Sequence, residues 1–232
     1  MNYRPMGMGE KKKLILMNKH NYVGREYIKA FSKTNLSFDV ARIGNYPLKD
    51  KLEDLRCGGK WIPPNEESFE YKIHDFKSLN SKEFDLFLKQ GEYYLGIQAG
   101  TGIINEKIIS RFSYGILNFH PGDLPKYRGA SAPEWQLYEN KNVICTCHLI
   151  DKGIDSGPIL WKKRLYPSEK DYYSFRASIY SQISKFLYET IKKIDDGNFK
   201  KNNLICQDES QANTRKYIGE ERISILKKMF KS

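Results

Sequence analysis

The sequence predicts an α/β fold, an open, doubly wound and mostly parallel sheet flanked by helices. Short apolar runs typical of buried strands alternate with segments of helical periodicity along most of the chain. The chain has 232 residues, enough for one domain with a sizeable core. Its composition, 40% hydrophobic and 13% aromatic, is that of a globular protein. Alternation of strands and helices favours a parallel sheet.

The first half carries the clearest alternation. Ser81 is a candidate N-cap, Gly91 a candidate helix stop, and the paired glycines and prolines within Asn45–Asn65 predict irregular structure there. The predicted strands are Leu14–Met17, Ser37–Ile43, Tyr93–Ile97 and Gly115–Phe119, and the predicted helices are Val23–Ser32, Lys82–Gln90 and Asn105–Phe112.

The second half predicts two further strands and one long helix. Ser168 and Asp171 have capping-box spacing and would open that helix, which we expect to end near Gly197. The predicted strands are Val143–Ile150 and Pro158–Leu165, joined by the loop Asp151–Gly157, and a short basic helix is predicted at Ile223–Phe230.

Charge and cysteine content restrict the classes of function. The net charge of +11 favours an anionic partner, either nucleic acid or a polyanionic small molecule, although scattered lysines also serve simply to solvate a surface. The four cysteines form neither a CxxC pair nor a ligand cluster with histidine, so we expect reduced thiols and no metal. No apolar run approaches the roughly 20 residues of a membrane span.

Two polar residues alternate at the end of one predicted strand. Asn118 and His120 lie two residues apart, so both side chains point to one face, and Pro121 ends the strand. An amide and an imidazole placed side by side suit the stabilisation of an oxyanion and the transfer of a proton. Taken alone, this triplet is more often structural, with the asparagine capping a turn.

A carboxylate follows in the loop between the next two strands. Asp155 is flanked by Gly153 and Gly157, which by itself favours a turn residue. A carboxylate can also orient a histidine and favour its charged form. The pattern therefore leaves both a structural and a chemical role open.

Taken together, the segments Asn118–Gly122, Leu124–Gly129 and Gly153–Leu160 resemble the folate-dependent formyltransferases. The motifs also follow one another at the family's spacing, and the match covers roughly Gln98–Leu165. One departure is Gly122, where relatives often carry serine. The resemblance implies a formyltransferase-like Rossmann variant. It divides the chain into a flexible leader (1–12), a catalytic domain (13–200) and a short C-terminal extension (201–232).

The resemblance also implies the chemistry and its residues. A formyl group would pass from 10-formyltetrahydrofolate to a primary amine without a metal. Asn118 and a protonated His120 would stabilise the negative oxygen, and Asp155 would keep His120 charged. The residues implied to contact the folate are Thr101, Gly102, Ile103, Ile104, Ile154 and Asp155.

Three acceptors are known in the family. Methionyl-tRNA enzymes carry a sizeable C-terminal domain, for which few residues follow Leu165 here. Glycinamide ribonucleotide enzymes usually carry a glycine-rich phosphate loop, whereas Asn18–Gly24 contains a single glycine. We therefore favour a nucleotide-linked 4-amino sugar (dTDP-, UDP- or GDP-linked) used for bacterial surface polysaccharide such as O-antigen.

The expected substrate contacts in this class are Lys126, Tyr127 and Arg128. We also expect a cytoplasmic homodimer that does not bind nucleic acid. Two alternatives remain open: an inactive folate- or RNA-binding relative, and a lyase- or decarboxylase-linked member of the family, which normally has a longer chain.

Overall fold

The computed structural model describes residues 11–18, 21–32, 34, 36–44, 57–62 and 71–230. Residues 1–10 of the predicted leader and most of the irregular stretch at 45–65 lie outside these residues. The strands are β1 (Lys13–Asn18), β2 (Asp39–Ile43), β3 (Ile73–Phe76), β4 (Leu95–Ala99), β5 (Gly115–His120), β6 (Arg128–Gly129), β7 (Ile144–Leu149), β8 (Ile159–Arg164) and β9 (Thr214–Arg215). The helices are α1 (Tyr22–Phe31), α2 (Lys82–Gly91), α3 (Glu106–Ile109), α4 (Ala132–Tyr138), α5 (Tyr172–Asp195) and α6 (Glu220–Met229).

Seven strands form one mixed sheet in the order β3-β2-β1-β4-β5-β7-β8. Neighbouring strands from β3 through β5 pair in parallel, whereas β7 pairs antiparallel with both β5 and β8. The predicted α/β fold with a mostly parallel sheet is confirmed. The antiparallel register sets Leu149, at the end of β7, opposite Leu117, and the loop that follows folds back so that Asp155 reaches Asn118 and His120.

The sheet is buried on both faces. Alternate residues of β1 point in opposite directions, so Ile15 and Met17 join one apolar cluster while Leu14 and Leu16 join another. The first cluster contains apolar residues of α1 and α5, and the second contains residues of α2 and α3. Helices on both faces explain why the parallel strands are almost continuously hydrophobic.

The start of α5 corrects one prediction. Asp171, not Ser168, is the N-cap, and its carboxylate accepts hydrogen bonds from the backbone N–H groups of Tyr173 and Ser174. Ser168 lies outside the helix, where its own backbone N–H donates to the Ser178 hydroxyl. The carboxylate is the better acceptor for the positive end of a helix, which accounts for the shifted start.

Four elements, namely β3, α4 and the two-residue strands β6 and β9, have no counterpart in the sequence-based prediction. β3 has four residues that are partly or fully exposed, so it lacks the apolar run of a buried strand. α4 is a seven-residue helix that follows a glycine-containing turn. Short elements of this kind give weak periodicity.

The C-terminal extension packs onto the same core as the strands. Ile218, Ile223 and Leu226 belong to the apolar cluster that contains β1 and α5. β9 pairs with β6, and Ile205 forms a bridge with Ile159 of β8. The extension is therefore built into the body of the protein. None of the described helices combines the length and the apolar character needed to cross a membrane.

Alanine substitutions at two leucines, one buried and one exposed, test where the core lies. Leu187 of α5 is 0% exposed, whereas Leu86 of α2 is 55% exposed. We expect Leu187→Ala to lower the free energy of unfolding by about 2–5 kcal/mol, because it leaves a cavity, and Leu86→Ala to cost much less. Chemical denaturation of both variants measures the difference. Equal losses would contradict the described packing.

Candidate active site

The site begins at the carboxyl end of β5. Asn118 and His120 lie two residues apart on this strand, so their side chains share one face. Asn118 lies opposite His148 of β7 in the antiparallel register. Asp155 reaches the same place from the loop between β7 and β8. The structure thus brings the three predicted side chains together and adds His148. We call Asn118, His120, His148 and Asp155 the Asp155 cluster.

Asp155 lies at the centre of this cluster. Its Oδ1 accepts a hydrogen bond from Asn118 Nδ2 at 3.2 Å, and its Oδ2 accepts one from the Gly129 backbone N–H at 2.8 Å. His120 Nδ1 lies 3.5 Å from Oδ2. The backbone of Asp155 is left-handed, with φ of 50°, a conformation that aspartate adopts more readily than most residues.

Only glycine fits at position 129, where the backbone N–H donates to this carboxylate. Its φ is 85°, and an added Cβ would lie 2.5 Å from the Arg215 backbone oxygen. Any side chain here would displace either β9 or the hydrogen bond to Asp155. The glycine of the Tyr-Arg-Gly run thus has a physical role in the site.

Both amide hydrogens of Asn118 are already engaged. One points to Asp155, and the other points to His148 Nε2 at 3.2 Å. Because His148 Nδ1 lies 2.8 Å from the Leu149 backbone oxygen, Nδ1 carries the proton and Nε2 is the acceptor in the neutral ring. Sequence reasoning missed His148, since only the strand register places it beside Asn118.

His120 is also held at both ring nitrogens. Nε2 lies 2.6 Å from the backbone oxygen of Tyr127, so Nε2–H donates to that oxygen, while Nδ1 faces Asp155. Burial lowers the pKa of His120 below its ordinary value, although Asp155 and the Tyr127 oxygen favour the charged form. Asp155 therefore favours the proton on His120, but burial outweighs it, so the pKa of His120 stays below its ordinary value. The catalytic role of the pair stays a prediction.

Asp155 itself is ionised. Burial by itself would raise the pKa of its carboxyl group. Attraction to the His120 and His148 rings and the hydrogen bond from the Gly129 N–H outweigh burial, so the pKa lies well below its ordinary value. The cluster therefore pairs a stable anion with an imidazole whose protonated form would have an acceptor at each nitrogen.

The three residues predicted to contact the substrate differ in whether their side chains are bonded within the protein or exposed to solvent. Tyr127 donates its hydroxyl to Glu139, and the Arg128 guanidinium is buried against Gln207 and Glu209. Lys126 is exposed. The side chains of Tyr127 and Arg128 are thus engaged within the protein, and Lys126 alone of the three extends into solvent.

Gln207 fixes the Asp155 loop from the C-terminal extension. Its Nε2 donates to the backbone oxygens of Asp155 at 2.8 Å and Gly157 at 2.7 Å. Its Oε1 accepts from the buried Arg128. Nothing in the sequence near Asp155 signals this contact, because it joins segments about fifty residues apart.

The residues implied for folate differ in their exposure. Ile103 is 81% exposed and Ile154, next to Asp155, is 52% exposed, whereas Ile104 is buried. Thr101 Oγ1 is buried and has no hydrogen-bond partner among the described residues. Gly102 has φ of 83°, and no heavy atom lies within 4 Å of an added Cβ. The turn therefore leaves open space and one unused hydroxyl.

A cavity of about 510 Å³ opens beside His120. We call it the His120 cavity. Its walls include the start of α4, several tyrosines, Arg176 of α5 and Lys227 of α6. The sequence analysis did not predict a cavity there. Among the described residues, no group of three or more His, Cys, Asp and Glu side chains is arranged to hold a metal ion.

The chain belongs to the formyl transferase family, whose sequence model matches residues 11–174. It is 31% identical over 208 residues to the methionyl-tRNA formyltransferase of Kosmotoga olearia, which covers 86% of this chain and 63% of that protein. The chain spans 44% to 63% of the length of the first two such relatives.

Solved structures share the fold. A sugar N-formyltransferase from Shewanella sp FDAARGOS_354 has a TM-score of 0.61 at 17% identity, over 96% of this chain and 88% of that one. PseJ from Anoxybacillus kamchatkensis has a TM-score of 0.53 at 23% identity, over 81% and 90%. That formyltransferase was solved with UDP-4,6-dideoxy-4-formamido-L-AltNAc and tetrahydrofolate.

The titration of His120 tests the balance between burial and Asp155. We expect a midpoint below the ordinary value of about 6.5, and a lower one in Asp155→Asn, because the anion that favours the proton is gone. NMR of the four histidine rings measures both values. Glu83→Gln, an exposed change on α2, is the control. A midpoint unchanged by Asp155→Asn would contradict the described contact.

A pair of glutamine variants tests the contact from the C-terminal extension. Gln207→Leu removes the two hydrogen bonds to the Asp155 loop, of about 1 kcal/mol each, together with the two that Oε1 accepts from Arg128. We therefore expect the amide of Gly129, which donates to Asp155, to exchange with solvent roughly tenfold faster or more. Gln211→Leu makes the same change at an exposed residue with a local contact to Asp208 and should have no effect. Hydrogen exchange decides between them, and equal rates in the two variants would oppose the interpretation.

Proposed function

We propose that this protein transfers a formyl group from 10-formyltetrahydrofolate to a primary amine. The observation that carries the proposal is the Asp155 cluster, in which one ionised carboxylate binds Asn118 and faces His120 beside a cavity of about 510 Å³. An amide donor, an imidazole and a carboxylate at one point are the groups that acyl transfer to an amine requires.

The reaction generates a negative oxygen when the amine adds to the formyl carbon. Asn118 and His120 are the donors for that oxygen, but the free protein uses their N–H groups internally. Each donor therefore exchanges one internal hydrogen bond for one to the substrate. Asp155, anionic before the reaction, favours the proton on His120 and would accept the proton that the amine loses. That proton would then pass to N10 of the folate as the bond between N10 and the formyl carbon breaks and tetrahydrofolate leaves.

The residues implied for folate fit a flat heterocycle. Ile103 and Ile154 offer exposed apolar surface, and the unused hydroxyl of Thr101 can bond a polar ring atom. Bound there, 10-formyltetrahydrofolate supplies the formyl group. Asp155 follows Ile154 directly in the chain, so the same loop holds an apolar contact and the carboxylate.

The acceptor that we propose is a nucleoside diphosphate-linked amino sugar. Tyr173 and Tyr217 border the His120 cavity and can stack on a base, and Lys227 at its rim can pair with a diphosphate. Lys227 Nζ also donates to the Tyr173 hydroxyl at 2.9 Å, which holds cation and ring together. The product named in the PseJ structure has this chemistry.

Methionyl-tRNA is the second candidate acceptor. The specific observation in its favour is the 31% identity to a methionyl-tRNA formyltransferase over 86% of this chain. The net charge of +11 would also suit nucleic acid. The role of exposed Lys126 in either complex stays a prediction.

One assay tests the reaction and separates the acceptors. The protein is incubated with 10-formyltetrahydrofolate and either dTDP-, UDP- and GDP-linked 4-amino-4,6-dideoxyhexoses or methionyl-tRNA, and mass spectrometry detects the added formyl group. We expect formylation of a nucleotide sugar, lowered about 10²- to 10³-fold or more by His120→Ala and by Asp155→Asn, because each removes stabilisation of the oxyanion.

His74→Ala is the matched control, since His74 lies on the edge strand β3 and packs on Phe87. Formylation of methionyl-tRNA, with no formylation of a nucleotide sugar, would identify the second candidate as the acceptor. Near-normal turnover in both cluster variants would rule out the mechanism.

A further inference from the structure

A buried carboxylate in the wall of the His120 cavity has one unused oxygen. Glu134 is 4% exposed, and its Oε1 accepts from Arg176 Nη1 at 2.8 Å and from the Tyr172 hydroxyl at 3.3 Å. Its Oε2 is buried and has no hydrogen-bond partner among the described residues. A buried acceptor left unpaired is unfavourable, so the arrangement suits a group that is brought in with a ligand.

The surrounding contacts hold this carboxylate in place. Arg176, itself nearly buried, donates through Nη2 to the Tyr180 hydroxyl at 2.7 Å and lies over that ring. The pair carries no net charge, because the positive Arg176 offsets the negative Glu134. Glu134, Arg176, Tyr172 and Tyr180 all line the His120 cavity, together with His120.

This charge balance indicates which group would bind. A lone buried carboxylate would attract an ammonium ion, whereas a carboxylate already paired with a guanidinium favours a neutral O–H or N–H donor. A sugar hydroxyl or an acylamino N–H is such a donor. The amine that attacks must itself be neutral, and a compensated carboxylate does not stabilise its protonated form.

We propose that Glu134 is a specificity-determining residue, whose Oε2 accepts a hydrogen bond from a neutral O–H or N–H group of the acceptor. Arg176 and Tyr172 are positioning residues that fix Oε1 and leave Oε2 for the ligand. This inference rests on the proposed function and adds the acceptor contact to it. The loss of a hydrogen bond to a charged group should weaken acceptor binding and leave folate binding unchanged.

The experiment compares acceptor and folate binding in the full chain. Calorimetry measures the Kd of the nucleotide sugar that the wild-type protein formylates, and separately that of tetrahydrofolate. Glu134→Gln is expected to raise the acceptor Kd and KM about 10- to 100-fold, with kcat changed much less and the folate Kd within about threefold. Glu189→Gln, on the exposed side of α5, is the matched control.

A second variant keeps the inference testable if Glu134→Gln does not fold. Glu134→Gln leaves the Arg176 charge buried without its partner, so Glu134→Gln/Arg176→Gln removes both charges and keeps a polar side chain at each position. The double variant should also bind the acceptor at least 10-fold more weakly, with folate affinity retained.

Acceptor affinity within threefold of wild type in either folded variant would overturn the inference while leaving the proposed function intact. If neither variant folds, a purely structural role for Glu134 is favoured and the inference is rejected. Wild-type protein that formylates no nucleotide sugar in the panel would defeat the proposed acceptor, and this inference with it.

Discussion

The site depends on the position of one carboxylate. Asp155 holds Asn118 through Oδ1 and the Gly129 N–H through Oδ2, and it faces His120 across 3.5 Å. Its low pKa keeps it charged across the range in which His120 titrates. The anion sits in a left-handed backbone position inside a short loop, so its placement needs support from elsewhere in the fold.

That support comes from three separate parts of the chain. The loop between the antiparallel β7 and β8 folds back toward the side chains of β5, Gly129 of β6 donates to Asp155, and Gln207 of the C-terminal extension donates to the backbone of the loop. The extension therefore contributes to the geometry of the site as well as to the core. Preorganised donors around a fixed anion limit the rearrangement needed during a reaction.

The His120 cavity lies beside the Asp155 cluster, and both apolar and charged groups line its walls. Its tyrosines offer flat apolar faces, Lys227 offers a cation near the rim, and the Glu134–Arg176 pair offers a compensated polar group deeper in the wall. An apolar cavity with few fixed polar groups is the usual form of a small-molecule site. The exposed Ile103 and Ile154 are not among the residues that line this cavity.

The sequence by itself determined the alternating elements, the parallel sheet and the candidates Asn118, His120 and Asp155, because periodicity and motif spacing are local properties. It did not predict His148, Gln207 or Glu134, nor the engagement of Tyr127 and Arg128 within the protein. Only the tertiary structure decided these, since strand register and the docking of the extension join residues distant in the chain. It also decided that burial would outweigh Asp155 at His120, because desolvation depends on every element packed around the ring.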